Sequence, residues 1–288
     1  MRGEVLIIGG GLIGSSIAWR LAQKGAQVTI ADAGNLGGEA SPAGAGMLSP
    51  GAEFQTPSVW LDLGIESLRL YPSFVEELHA ETGIDTDFRM YLPDDGIVDP
   101  AAMLRALRCA CESRKVRIKR EHVTTVDPRD YGAVVIAAGA WSGQVRVNNV
   151  TLPAVVPIKG HLIGFQLEPG ALGPVRRHGE TYVLQRSNGY LIAGSNEQDI
   201  GFDVTVDAAI CDDIHRRAAQ LFPPLEHATP VNRWIGFRPR SVDGDAPHIG
   251  RIAGTNVWLA YGHYRNGILL TPVTAQRVAD NVYRNVNV

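Results

Sequence analysis

Glu4-Val5-Leu6-Ile7-Ile8-Gly9-Gly10-Gly11-Leu12-Ile13-Gly14-Ser15-Ser16 decides the fold. It reads as a short apolar strand, a glycine turn and the start of a helix. Gly9, Gly11 and Gly14 have the G-x-G-x-x-G spacing. Gly9 allows the tight turn, Gly11 lets the backbone approach a phosphate, and Gly14 lets the helix pack on the strand. The N–H groups of the helix start, from Leu12 and Ile13 to Ser16, then face a dinucleotide pyrophosphate. Ala18, Leu21 and Ala22 give the helix its apolar face, and Gly25 is placed to end it. Residues 27–32 read as the second strand. Its final residue, Asp32, with Ala33 after it, stands eighteen positions past Gly14. That is close to the ~20 expected of an acid that accepts from ribose hydroxyls. The alternative is a glycine-rich turn in some other α/β protein, against which stand the strand before the motif, the helix after it and the acid at the next strand end. An acid at the ribose position disfavours a 2′-phosphate and hence NADP, while FAD and NAD both stay open on the motif alone.

The other end of the chain, residues 257–272, repeats the design: an apolar strand, a glycine-flanked polar turn and a helix start. A cofactor held by both ends fits this pairing. Residues 37–48, including Ser41, Ala45, Gly46 and Met47, are small and almost uncharged. Small residues suit a backbone pressed against a flat ligand; the alternative is a flexible loop.

Between the ends, residues 56–82 read as helix interrupted near Pro72. Asp99 is placed as N-cap and Pro100 at the first position of another helix, running through Met103, Leu104 and Leu107 towards Ser113. One or two strands lie within 117–126. Residues 133–141 form a wholly apolar strand that ends in glycine and is buried on both faces. From 151 to 238 the pattern changes to short alternating strands at Val155–Gln166, Thr181–Gln185 and 190–193. A helix over 207–221 stops at Pro223-Pro224, and a further strand covers 234–237. The fold expected is α/β plus α+β: a Rossmann-like nucleotide domain with an inserted antiparallel-sheet substrate domain. The nucleotide domain takes residues 1–56, 93–150 and 241–288, and the substrate domain 57–92 and 151–240.

The 288 residues, 45% hydrophobic with a net charge of −3, are ordinary globular material for one large or two smaller domains. Near-neutral charge offers no electrostatic reason for nucleic acid. No run of about 18 apolar residues exists, so no membrane span is expected. The strand at Val5 follows Met1 too soon for a signal peptide. Cys109, Cys111 and Cys211 are too few and scattered for a disulfide framework. Cys109 and Cys111, two apart on a helix, face different sides, and no metal site is expected. The chain reads as reduced and cytoplasmic.

The Gly9–Ser16 turn, the 41–48 loop, Ala138-Gly139-Ala140-Trp141-Ser142, Val156-Pro157-Ile158-Lys159-Gly160 and above all Gly262-His263-Tyr264-Arg265-Asn266-Gly267-Ile268-Leu269-Leu270 resemble the D-amino-acid oxidase family of flavoproteins. Within the family they are most similar to its glycine oxidase branch, of the thiamine pathway. The resemblance runs in order over nearly the whole chain. It implies FAD and the oxidation of glycine or a small D- or N-methyl amino acid. The implied chemistry is hydride transfer to flavin N5, imine hydrolysis and reoxidation by O2 to H2O2. With no cysteine near the last block, the flavin should be noncovalent. By resemblance Gly9, Gly11, Gly14 and Asp32 hold the ADP half, while the 41–47 loop and the Arg265–Ile268 backbone lie along the flavin ring. Val123, Ala138, Gly139, Trp141, His263, Tyr264, Asn266 and Gly267 complete the cofactor set. Tyr182, Arg238 and Arg265 match the substrate pocket, and a guanidinium fork plus a tyrosine hydroxyl suits an α-carboxylate. His263 is placed to interact with the ring or to serve as a structural turn residue.

Two departures stand out. Glu197 occupies a place where relatives of the glycine oxidase branch carry an apolar methionine, and is read as binding the substrate ammonium, repelling an acidic substrate or facing solvent. After Arg89 the chain passes straight to Tyr91-Leu92-Pro93-Asp94-Asp95-Gly96, so part of the substrate-domain sheet and a helix pair are absent and a more open site is expected. The resemblance also allows a homo-oligomer. Rival readings are a flavin dehydrogenase with another acceptor, a degenerate flavin-binding protein, and an NAD enzyme.

Overall fold

The computed structural model describes residues 3–34, 40–53, 58–242, 244 and 247–286. Part of the 37–48 segment, the start of the helix read from residue 56 and the boundary at 56/57 lie outside them. The strand Val5–Ile8 is buried along its length. It pairs in parallel with Val28–Asp32 on one side and Ala133–Ile136 on the other. Arg117–Arg120 extends one edge. Val257–Tyr261 extends the other, parallel to Ala133–Ile136, and carries the antiparallel edge strand His248–Arg251. The two chain ends thus meet in one six-stranded sheet, because strands this uniformly apolar need cover on both faces.

On one face the helix Leu12–Gln23 packs against Thr271–Val286 and Pro100–Ser113. The long helix Val59–Thr82 joins them, and Trp19, Tyr71, Phe74 and Val278 share one core. Ser58 caps this helix by accepting from the Leu61 N–H, and Gly83, with φ 70°, ends it. The expected interruption at Pro72 does not occur; the helix runs through it. Proline inside a helix costs about 3 kcal/mol. Leu68, Phe74 and Leu78 are buried on the stripe that spans it, at roughly 1.5–3 kcal/mol each, and that outweighs the lost hydrogen bond. Asp99 and Asp207 cap their helices as expected, with Asp99 accepting from Ala101 N–H at 2.9 Å and Asp207 from Ala209 N–H at 2.8 Å.

A second, antiparallel sheet has the order Arg176–His178, Thr181–Gln185, Tyr190–Gly194, Val155–Gln166, Asn232–Ser241. The helix Ala208–Leu221 covers one face through Ile163, Phe165, Val183, Ile214 and Ala218. The strand expected at 234–237 is longer, because Val155–Gln166 pairs along it from Ser241 back to Asn232. Where the sequence is short, Arg89–Leu92 and Asp95–Ile97 close a tight hairpin that joins Met47–Leu48. Arg186 stitches this region together from the second sheet. Its buried guanidinium donates to the carbonyl of Val98 at 2.5 Å and to that of Ala45. Cys109 is exposed and Cys111 buried, as their spacing requires. Among the described residues no helix is long and apolar enough to cross a membrane.

Candidate active site

A cleft of about 540 Å³ runs from the glycine turn to the second sheet. At the turn, close backbone approach forces glycine. A Cβ at Gly14 would lie 1.9 Å from the Gly9 carbonyl oxygen, and one at Gly9, with φ +105°, would lie 2.4 Å from that of Ala137. Gly11 is the helix N-cap and offers no side-chain bond; instead Ser41 Oγ accepts from the Leu12 N–H at 3.1 Å. Asp32 lines the cleft and accepts from the N–H groups of Gly10 at 2.7 Å and Gly34 at 2.9 Å. It therefore orders the turn, in addition to the ribose role expected of it. The shape suits a dinucleotide: bare backbone at a helix N-terminus, with an acid one strand away.

Further along, the 40–47 segment presses on the C-terminal turn. A Cβ at Gly44 would meet Ile268 Cδ1 at 2.5 Å, and Trp234 Nε1–H holds the segment through the Ala43 carbonyl at 3.0 Å. Met47, Ala138, Gly139, Trp141, Tyr264 and Asn266 face the same space. A flat ring bounded by small-residue backbone fits there.

The far end of the cleft is built by two strand glycines. Gly160 lies opposite Gly236, and a Cβ on Gly160 would sit 2.4 Å from Arg238 Nη1 and 2.5 Å from Nη2. Gly194 pairs with Tyr182, and a Cβ there would sit 2.6 Å from the Tyr182 hydroxyl. Arg238 donates to Ser195 Oγ at 2.8 Å and to the Asn196 carbonyl at 3.0 Å. Arg265 pairs with Glu197 at 2.7 Å. Burial opposes the Glu197 charge, but hydrogen bonds from Tyr264 and Arg265 and the charges of Arg265 and Arg238 overcome it and hold the carboxyl below its usual range. Burial, then the bond to Glu197, pushes the Tyr264 phenol up to about 12.

Nearly all the residues singled out in the sequence line this cleft. Gly9, Gly11, Leu12, Ile13, Asp32, Ala33, Ser41, Ala45, Gly46 and Val123 lie towards the glycine turn, and Tyr182, Arg238, His263, Arg265, Gly267 and Ile268 towards the second sheet. Gly14 stands behind the wall and packs on Gly9. Glu197 also stands outside the wall, exposed to solvent and at the same time tied to Arg265. His263 is 2% exposed and its Nε2 lies 3.0 Å from Thr274 Oγ1. Burial, then the charge of His248, pushes its pKa down to about 3, so the imidazole is neutral where it lines the cleft. Gly160 and Gly194 were not read as site residues, although glycine inside an alternating strand marks a close approach. Arg177 also lines the cleft, paired with Asp95 at 2.8 Å. Asp95 sits in the short hairpin, so only the fold reveals that contact.

The sequence profile of the DAO family, described as FAD dependent oxidoreductase, matches residues 4–91 and 89–281. The two stretches meet where the chain reads as shortened. A glycine oxidase of Pseudomonas putida is 30% identical over 346 aligned positions, spanning 97% of this chain and 94% of that protein. Those positions outnumber the 288 residues, so parts of the relative have no counterpart here. A bifunctional protein ThiO/ThiG of Synechocystis is 31% identical over 96% of this chain and 51% of its own length. The crystal structure of glycine oxidase from Geobacillus kaustophilus superposes with a TM-score of 0.91 at 29% identity, covering 98% of this chain and 95% of that one.

Proposed function

The chain belongs to the DAO family of FAD-dependent oxidoreductases, and from that premise we propose that it oxidises glycine or a small D- or N-methyl amino acid with O2 as acceptor. The observation that carries this reading is one cleft with a dinucleotide cradle at one end and a guanidinium over a strand glycine at the other. Bound FAD would supply the redox chemistry, acceptance of a hydride from the substrate Cα and delivery of two electrons to O2. For glycine the balance is glycine, water and O2 to glyoxylate, ammonia and H2O2.

The protein's own residues bind and orient. Gly9, Gly11 and the Leu12–Ile13 backbone hold the pyrophosphate, and Asp32 the ribose. Gly44, Met47 and the 264–268 backbone flank the ring, and none of the three cysteines lines the cleft, which supports noncovalent binding. Arg238 fixes the substrate carboxylate and Tyr182 adds a hydroxyl, which places Cα near the ring. Among the described residues no cleft side chain is assigned as a necessary base, the substrate amine being taken up already deprotonated. The ThiO/ThiG relative supports a place in thiamine thiazole synthesis.

Purified holoprotein supplied with glycine or sarcosine in air should consume O2 and release one H2O2 per amine oxidised. Turnover that needs an added quinone or dye and yields no peroxide would instead make it a dehydrogenase.

A further inference from the structure

The segment after Tyr190–Gly194 touches both arginines of the pocket. Ser195 and Asn196 hold Arg238, while Glu197 takes Arg265 at 2.7 Å and also accepts from Tyr264. Tyr264 adopts φ 49°, a conformation uncommon for a bulky residue. Strands elsewhere hold neighbouring charges in pairs: Arg177 with Asp95 and Arg240 with Asp199. Glu180 lines the cleft from an exposed turn and is screened by water; Glu197 is exposed too, but it is held against Arg265 at 2.7 Å. Among the described residues, these two guanidiniums and the one carboxylate bonded to them leave a net positive charge at this end of the cleft.

We propose that Glu197 is a specificity-determining residue that acts through Arg265: it cancels one of the two arginine charges, so that the pocket accepts ligands with one carboxylate and rejects those with two. This rests on the reading of the cleft as an amino-acid site. A substrate with a neutral amine brings one negative charge, which the remaining charge of Arg238 matches. A second carboxylate would meet Glu197 with its counter-charge already taken by Arg265, and the like charges repel even though water reaches Glu197 and weakens the repulsion.

The test is binding, followed by the flavin absorbance of the holoprotein. Acetate and malonate carry one and two carboxylates and no ammonium, so any contact between Glu197 and a substrate amine drops out. The wild-type protein should bind acetate more tightly than malonate. In Glu197→Gln and in Glu197→Met the affinity ratio of malonate to acetate should rise at least tenfold, with flavin content unchanged. If both acids weaken equally in these variants, or the ratio stays where it was, Glu197 is only structural and the proposal falls. If the wild-type protein binds neither acid, the amino-acid reading of the cleft falls and takes the proposal with it.

Discussion

Arg238 lies over Gly160 and lines the cleft, and in the proposed function it is the side chain on which substrate binding turns. Arg238→Ala should raise KM roughly 10–100-fold, the equivalent of a lost charged hydrogen-bond pair, and leave FAD bound; steady-state kinetics with flavin absorbance checks both. Unchanged KM would remove Arg238 from the pocket. His263 makes a prediction of a different kind. Its folded pKa of about 3 lies below the ordinary value of about 6.5. Between these limits the unfolded chain takes up a proton that the folded protein refuses. Stability from this residue is therefore complete above about pH 6.5 and declines as pH falls towards 3, with roughly 2 kcal/mol lost between pH 7 and 5. Denaturant unfolding at the two pH values should show that loss shrink in His263→Gln; an equal loss in both proteins would contradict a buried neutral histidine. The glycines and the arginine were legible because spacing and residue type carry their chemistry. The Glu197–Arg265 pair was not, since its members lie 68 positions apart and only the packing of the second sheet against the C-terminal turn brings them together.

Strand interiors decide how the pocket is shaped. The side chain of Arg238 crosses Gly160 on the neighbouring strand, and that of Tyr182 crosses Gly194, so each glycine is a slot for a functional side chain. Gly160→Ala should push Arg238 out of place and raise KM about tenfold with FAD content and fold preserved, because the displaced group is the end of a flexible side chain and overpacking costs about 1–3 kcal/mol. A crystal structure or inhibitor titration of the variant would show the shift, and an unmoved arginine with normal KM would refute it. Strand and helix limits here were readable from caps and alternation: Asp99, Asp207 and the Val155–Gln166 strand stand where the residues place them. Pro72 misled because local cost is visible in sequence, whereas the buried stripe of Leu68, Tyr71, Phe74 and Leu78 that offsets it belongs to the tertiary core.

At the scale of the whole molecule, both chain ends enter one mostly parallel sheet and a second sheet lines the far part of the cleft. The repeated strand–turn–helix design at residues 4–16 and 257–272 made the first half of that arrangement readable. The position of the second sheet came through resemblance alone, since antiparallel alternation says how strands pair and not what the sheet faces. The shortened stretch was legible as a gap at 89–91, and the fold resolves it as a hairpin whose Asp95 pairs with Arg177 of the cleft wall. In the proposed function the resulting cleft joins a cofactor cradle to a carboxylate site, and the central claim is that amines reduce the flavin held there. The most direct measurement is anaerobic mixing of the holoprotein with glycine, sarcosine and small D-amino acids while flavin absorbance is followed. Bleaching by at least one of them, reversed by air with release of H2O2, is the predicted result. Bound flavin that none of these amines bleaches would contradict the claim.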